Sequence, residues 1–500
     1  MVACGDVTPS HDQRPGAFGP FDRAGMTRRS FLAASVTSAI VVACGDDAPR
    51  HSPAAVPSAS PSSGASGVVA RAPSPAATSV AVPSAVPTAS VSQSPSPTAL
   101  VNGPPERILY RDAALADARG PSLQIGLSVL VVEGTIAWIR PRDGEEDLGP
   151  RERLTIIDAA GATIVPGMVD CHSHLTGPGG ANWIERFSDP PERLVEVAEE
   201  NGALALAAGV RWLRDVGAPI AEDPVDGQRR ALSLGVRDRW AGRRDRPYVR
   251  AAGTWIFGAG AGLPGLDLEA ANGDELIAAA IGQLEDGADL VKLYLDGPDP
   301  ARAPWSVDEV RAVVAAVHER GAKVTAHAGR LDGARVGAEA GVDALEHGFE
   351  LDAEVARMMA ANGVTLVSTL AVMRSWLSFG RTTGMPRFAS EEGASAIRAR
   401  LERAEESVRL AQRAGVVVCA GTDFGGGSLR ANQLAWEVES LVAAGLEPWE
   451  GLAAATWRGG GLLGEPDAGA IRDGGPADFF LVHGDPLSDP SALWRVWRVA

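Results

Sequence analysis

The sequence predicts an α/β protein: a (β/α)8 TIM-like barrel with a small β-sandwich built from the segments before and after it. Three observations carry this. Between about residues 164 and 464, apolar runs of strand character alternate with segments of helical period, and eight such alternations follow in order. β-rich runs flank that region, at 106–163 and 465–500. Residues able to do chemistry gather at the ends of the strand-like runs, where barrels of this kind build their sites.

Two segments precede the predicted folded part. Met26 opens MTRRSFLAASVTSAIVVAC, in which Arg28 and Arg29 form a twin-arginine pair ahead of an apolar stretch, Phe31–Ala43, too short to span a bilayer. The stretch ends on Val-Val-Ala-Cys, which resembles a bacterial lipoprotein cleavage box with Cys44 as the lipidated residue. Residues 1–45 are therefore expected to be a signal segment, with Met26 an alternative start. Export and anchoring to the outer side of a bacterial membrane, through the lipid alone, follow as expectations. Residues 46–105 are Pro, Ser, Ala, Thr and Val with almost no aromatic or charged side chains. Such a chain buries too little apolar area to offset its ordering entropy, so a disordered linker is expected.

Within 106–163 the runs LSVLVVEG, IAWIRP and LTIIDAAG are punctuated by Gly and Asp, as turns between strands are. ADFFLVHGDPL near the end is a further such run, and the two segments are expected to form one sandwich. The eight barrel strands are expected near 164–171, 210–215, 249–256, 288–294, 323–327, 342–346, 364–369 and 416–422. Helices such as DELIAAAIGQLEDG and VDEVRAVVAAVHERG show i, i+3, i+4 apolar spacing and a closing Gly.

The chain of 500 residues carries a net charge of −17. That balance argues against a nucleic-acid partner, because phosphate binding needs clustered Lys and Arg. The four cysteines, at 4, 44, 171 and 419, show no metal-site spacing. Strand alternation would point Cys171 outward and Cys419 inward, so no bridge between them is expected.

The first strand reads ATIVPGMVDCHSHL. His172 and His174 are two apart and share a face, with Asp170, so two imidazoles converge as a divalent metal requires. Lys292 sits inside the apolar GADLVKLYLDG, where a free ammonium is costly. His327 ends KVTAHAG, His347 ends VDALEHG and Asp423 ends VVVCAGTDFGG. Four of the chain's eight histidines thus fall at barrel strand ends.

These motifs, in this order, resemble the amidohydrolase superfamily, in the branch of imidazolonepropionase-like enzymes and metal-dependent Xaa-Pro or Xaa-Arg dipeptidases. The likeness covers roughly 106 to 490 and includes GAIRDGGPADFFLVHGDPL after the barrel. The resemblance implies two divalent ions, most simply Zn. His172, His174 and Asp423 would hold one, and His327 and His347 the other. Lys292 would be carboxylated by CO2 into a carbamate that bridges them. It further implies a hydroxide between the ions, with Asp423 as the catalytic residue that moves a proton to the leaving nitrogen.

The implied function is hydrolysis of amide bonds in small peptides, N-acyl amino acids or cyclic amides. An esterase or lactonase on the same site, and a non-catalytic metal- or ligand-binding lipoprotein, are the alternatives. An oligomer is possible. Departures from dipeptidase relatives bear on the substrate: Leu295-Asp296-Gly297 replaces a Ser-Gly-Gly turn, and Gly329-Arg330 follows His327-Ala328. Arg330 is a candidate for a substrate carboxylate, because a guanidinium forks onto it. Arg214-Asp215 resemble a structural pair of the family. The chain ends on WRVWRVA, where relatives continue with a Gly-Arg turn and a last strand, so the sandwich is expected to lack that edge strand.

Overall fold

A computed structural model of the chain describes residues 106–149, 153–263 and 265–500. The signal segment 1–45 with Cys44, and the linker 46–105, lie outside the described residues. Among the described residues no helix is long and apolar enough to cross a membrane.

The chain begins as an antiparallel meander of β1 (Arg107–Leu115), β2 (Gln124–Val132) and β3 (Thr135–Pro141). Glu133 and Gly134 make the β2–β3 turn, and both have the positive φ that a type I′ hairpin requires. β4 (Leu154–Asp158) and β5 (Ala162–Pro166) then run parallel to β1, β4 beside its first half and β5 beside its end.

β6 (Met168–Ser173) follows at once, so the expected first barrel strand is really two strands. Gly167 divides them, because a Cβ there would meet Arg211 Cβ at 2.7 Å and the Asp478 carbonyl at 3.1 Å. The remaining strands are β7 (Val210–Asp215), a short antiparallel pair β8 (Ile220–Glu222) and β9 (Arg229–Ala231), β10 (Tyr248–Ala251), β11 (Trp255–Gly258), β12 (Leu268–Ala270), β13 (Leu290–Tyr294), β14 (Lys323–Ala328), β15 (Ala344–His347), β16 (Thr365–Ser368) and β17 (Val418–Ala420), then β18 (Phe479–His483) and β19 (Val496–Val499).

The result is an α/β, TIM-barrel-like fold of parallel strands with helices between them. The hydrogen-bonded ladder is drawn as two arcs, β10-β7-β6 and β12-β11-β13-β14-β15-β16-β17, rather than one closed ring. A bridge between Ser173 and Phe424 links the arcs at one seam. At the other, the expected third strand is broken into β10 and β11. There Gly253 has φ +78°, and the Thr254 N–H donates at 2.7 Å to the Gln283 side chain instead of to a neighbouring strand.

The terminal segments meet as expected, but hydrogen bonding joins them into one seven-stranded sheet, β19-β18-β5-β1-β2-β3 with β4 on β1. The last residues form β19, which pairs antiparallel with β18 at the edge of this sheet. Tyr110, Val129, Ile136, Ile164, Phe479 and Leu481 form the apolar core of this sheet.

Alternation along the barrel strands separates two apolar layers. Val291, Leu293, Val324, Ala326, Leu345 and Leu366 pack with the surrounding helices. Helix ends are fixed by local chemistry, such as the Ser306–Glu309 capping box of Val307–His318 and left-handed Gly341, Gly363 and Gly415 at three C-termini. On the inner side Val169, Cys171, Ala344, Val367 and Cys419 form a separate buried cluster with Leu462, from the helix Trp457–Leu463. The two cysteines therefore face the same interior, contrary to the alternation argument, and both are free thiols. The register of β6 against β7 shifts between Asp170 and Ser173, which lets Cys171 and His172 both turn inward.

Candidate metal centre

The six side chains singled out in the sequence, His172, His174, Lys292, His327, His347 and Asp423, line one cavity at the ends of the parallel strands. His172 comes from β6 and His174 directly follows that strand, Lys292 comes from β13, His327 from β14 and His347 from the last residue of β15. Asp423 follows β17 and is placed by its N–H, which donates to the His172 carbonyl at 2.8 Å. His347 and Asp423 both have positive φ, 70° and 53°. That region is sparsely populated for non-Gly residues and recurs at functional sites.

The ring centroids of His172 and His347 lie 4.6 Å apart, as do those of His347 and His327, and His172 and His174 are 5.3 Å apart. Asp423 Oδ1 stands 3.4 Å from His172 Nε2 and 3.3 Å from His174 Nε2. One ligand atom from each of these three residues falls within 4.8 Å of the others, a group able to hold a metal ion.

Each imidazole has one nitrogen already engaged by the protein. His172 Nδ1 lies 2.6 Å from Glu346 Oε2, and His174 Nδ1 lies 2.7 Å from the Gly217 carbonyl. His327 Nε2 lies 3.1 Å from Asp296 Oδ2, and His347 Nδ1 lies 2.8 Å from Thr369 Oγ1. Outer partners of this kind fix ring orientation and leave the second nitrogen for an ion. The donor set thus fits divalent metal on the protein's own geometry.

Glu346 is the centre of the network under the histidines. Besides His172 it takes hydrogen bonds from Arg214 and from the Thr325 hydroxyl. Burial works to raise its carboxyl, but the charges of Arg214, Lys292 and His172 outweigh this and hold it well below the ordinary carboxylate range. Lys292 is fully buried. Burial pushes its ammonium down to about 8, with Arg214 adding to the effect and Glu346 and Asp423 opposing it. Burial also lowers His327 and His347, which favours the neutral form that binds metal. For Asp423 burial acts upward, but His172 and His174 hold it well below the usual range.

Asp170 does not join the cluster, although its spacing put it on the histidine face. It turns to the eighth-strand end, accepting from Thr422 N at 3.0 Å and Thr422 Oγ1 at 2.6 Å. Burial raises its carboxyl to about 6. Arg330 starts the helix Leu331–Ala340, where Nη1 donates to the Gly297 carbonyl at 3.2 Å, and it is not among the residues lining the cavity. Arg400, which no strand-end motif marks, does line it.

Comparison with known proteins agrees with this geometry. The sequence pattern of the amidohydrolase family matches residues 163–499. An uncharacterized protein of Mycobacterium tuberculosis (strain ATCC 25618 / H37Rv) is 30% identical over 344 residues, covering 68% of this chain and 83% of that protein. The imidazolonepropionase of Anaeromyxobacter sp. (strain K) is 28% identical over 414 residues, covering 76% and 90%. Among solved structures, an amidohydrolase superposes with a TM-score of 0.65 at 26% identity, covering 79% of this chain and 97% of that one. A Xaa-Pro dipeptidase with bound methionine superposes with a TM-score of 0.66 at 23% identity, covering 78% and 97%. The chain belongs to the amidohydrolase family, and it is a metal-dependent hydrolase acting on carbon–nitrogen bonds.

Proposed function

We propose that the chain hydrolyses amide bonds of small peptides, N-acyl amino acids or cyclic amides, using two divalent ions. His172, His174 and Asp423 would hold one ion, His327 and His347 the second, and Lys292 would join them as a carbamate. The observation that carries this is the engagement of one nitrogen on every imidazole, with the four rings adjacent to Lys292 and Asp423 in one cavity.

When bound, the ions supply an activated water at neutral pH and polarise the scissile carbonyl. The chain's own groups do the rest. Asp423 is held ionised, so it can accept a proton from the attacking water and give it to the leaving nitrogen. Lys292, with its ammonium pushed down to about 8, presents a share of neutral amine near neutral pH. That amine attacks CO2, the new N–C bond forms, and one N–H proton leaves to solvent. Zinc suits the His and oxygen donors.

The test is metal analysis of purified protein followed by an amide panel with and without chelator. Two ions per chain, a carbamate resonance after labelling with 13C-bicarbonate, and chelator-sensitive amide hydrolysis are expected. Metal-loaded protein that hydrolyses no amide, or a His172→Ala variant with full metal content and activity, would overturn the reading. We also propose export and membrane anchoring through Cys44, supported by the signal-like run ahead of it. Cys44→Ala should then release the protein from the membrane fraction.

A further inference from the structure

We propose that the substrate is an amide of a bulky aromatic amino acid or similar aromatic carboxylate, with Arg400 binding the carboxylate. This rests on the amide-hydrolase reading and narrows it.

The cavity is built of rings. Seven of its nineteen lining residues are Trp, Phe or Tyr, in a chain that is 5% aromatic. Trp183 and Trp376 stack at 5.8 Å with 11° between their planes. Phe187 stands edge-on to Trp255 at 5.4 Å, and Trp255 lies 5.5 Å from His174. On the other side Phe349 lies 5.1 Å from His347. A carbonyl held beside Asp423 would therefore have aromatic faces on both flanks. Rings pack against an aromatic side group in offset or edge-on geometry, as these do among themselves.

Charge gives the second feature. Among the described lining residues, Arg400 is the one charged side chain outside the cluster of six. It comes from the helix Glu391–Ala414, and its guanidinium lies 4.8 Å over the Phe349 ring. Phe349 thus spaces the cation one ring away from His347. An α-carboxylate stands only a few bonds from the scissile carbonyl, which suits that spacing. In an apolar wall a guanidinium binds a carboxylate more strongly than it does in open water.

Apolar walls with a few placed polar groups are the usual form of a small-molecule site.

The experiment uses the metal-loaded enzyme and two readouts. Calorimetric titration compares 3-phenylpropanoate, acetate and 3-phenylpropanamide. Hydrolysis compares N-acetyl-phenylalanine with its carboxamide and with N-acetyl-glycine. Wild type should bind 3-phenylpropanoate on the order of 10-fold more tightly than either other ligand, and should show the matching preference in kcat/KM. Arg400→Gln should collapse the preference for carboxylate over carboxamide, chiefly through KM. Acetate binding as tightly as 3-phenylpropanoate, an Arg400→Gln variant that keeps the preference, or a loss that appears in Arg330→Gln instead, would overturn the assignment. Amide hydrolysis without any carboxylate preference sinks this inference alone. Arg400-dependent binding with no amide turnover upholds the pocket and sinks the hydrolase reading.

Discussion

Glu346 Oε2 stands 2.6 Å from His172 Nδ1, while Glu346 Oε1 takes the Arg214 guanidinium. One buried carboxylate therefore orients a histidine of the candidate metal group and neutralises a buried arginine. Both partners are almost fully shielded from solvent, with side chains 1% and 4% exposed.

Replacing Glu346 with Gln should weaken metal binding by about 10–100-fold, the usual effect of losing such an outer partner. It should also leave Arg214 without its counter-charge, at a cost of about 3–5 kcal/mol. Metal titration and thermal unfolding read the two effects separately. Unchanged metal affinity would mean that His172 is oriented by something else.

Gly421 lies against His172 of the candidate metal group. A Cβ there would overlap His172 Cβ and approach the His172 backbone N at 2.9 Å. Gly421→Ala should therefore displace His172, at about 1–3 kcal/mol for the overpacking. Metal content should drop while far-UV circular dichroism stays near wild type. A variant that holds metal normally would show that the strand end can yield.

Asp423→Asn keeps the shape of the side chain and removes its ability to take a proton. With metal supplied in excess, kcat should fall by about 10²–10⁴-fold, the range for losing a positioned acid–base group. Full turnover in a metal-replete Asn variant would exclude Asp423 from proton transfer.

Glu437 gives a pH dependence away from the ligand cluster. It is fully buried, and it accepts from Ser368 Oγ at 2.6 Å and Ala371 N at 2.7 Å. Burial nonetheless pushes its carboxyl from 4.5 up to about 8, so the folded protein holds the proton more tightly than the unfolded chain. The group's contribution to stability is complete below about pH 4.5 and is lost as pH rises through about 8, at no more than about 1.4 kcal/mol per pH unit. Glu437→Gln should flatten that part of the profile in denaturant titrations run at several pH values. An identical slope in both proteins would mean that Glu437 titrates normally.

The six residues gathered at the cavity were legible because five stand at the ends of apolar strands and Lys292 lies within one, where a charged or imidazole group has few structural uses. Glu346 was harder to see. It precedes His347, and only the three-dimensional register reveals that it reaches His172 across the barrel. Asp296 was noted as a departure from relatives but not as the partner of His327. The inward turn of Cys171 depends on a register shift that strict alternation cannot show. The break of the third strand depends on Gln283, a helix residue far along the chain. Arg400 lies on a helix beyond the strand ends, and nothing in its local sequence sets it apart from the other arginines of that helix.

The apolar plug of Val169, Cys171, Val367 and Cys419, with Leu462 packed against them, fills the inner side of the parallel strands. Reactant, water and both fragments of a cleaved molecule would then come and go on the open side of the cavity. A fragment that keeps the feature by which it was recognised should linger there, so product added at the start is expected to slow the reaction.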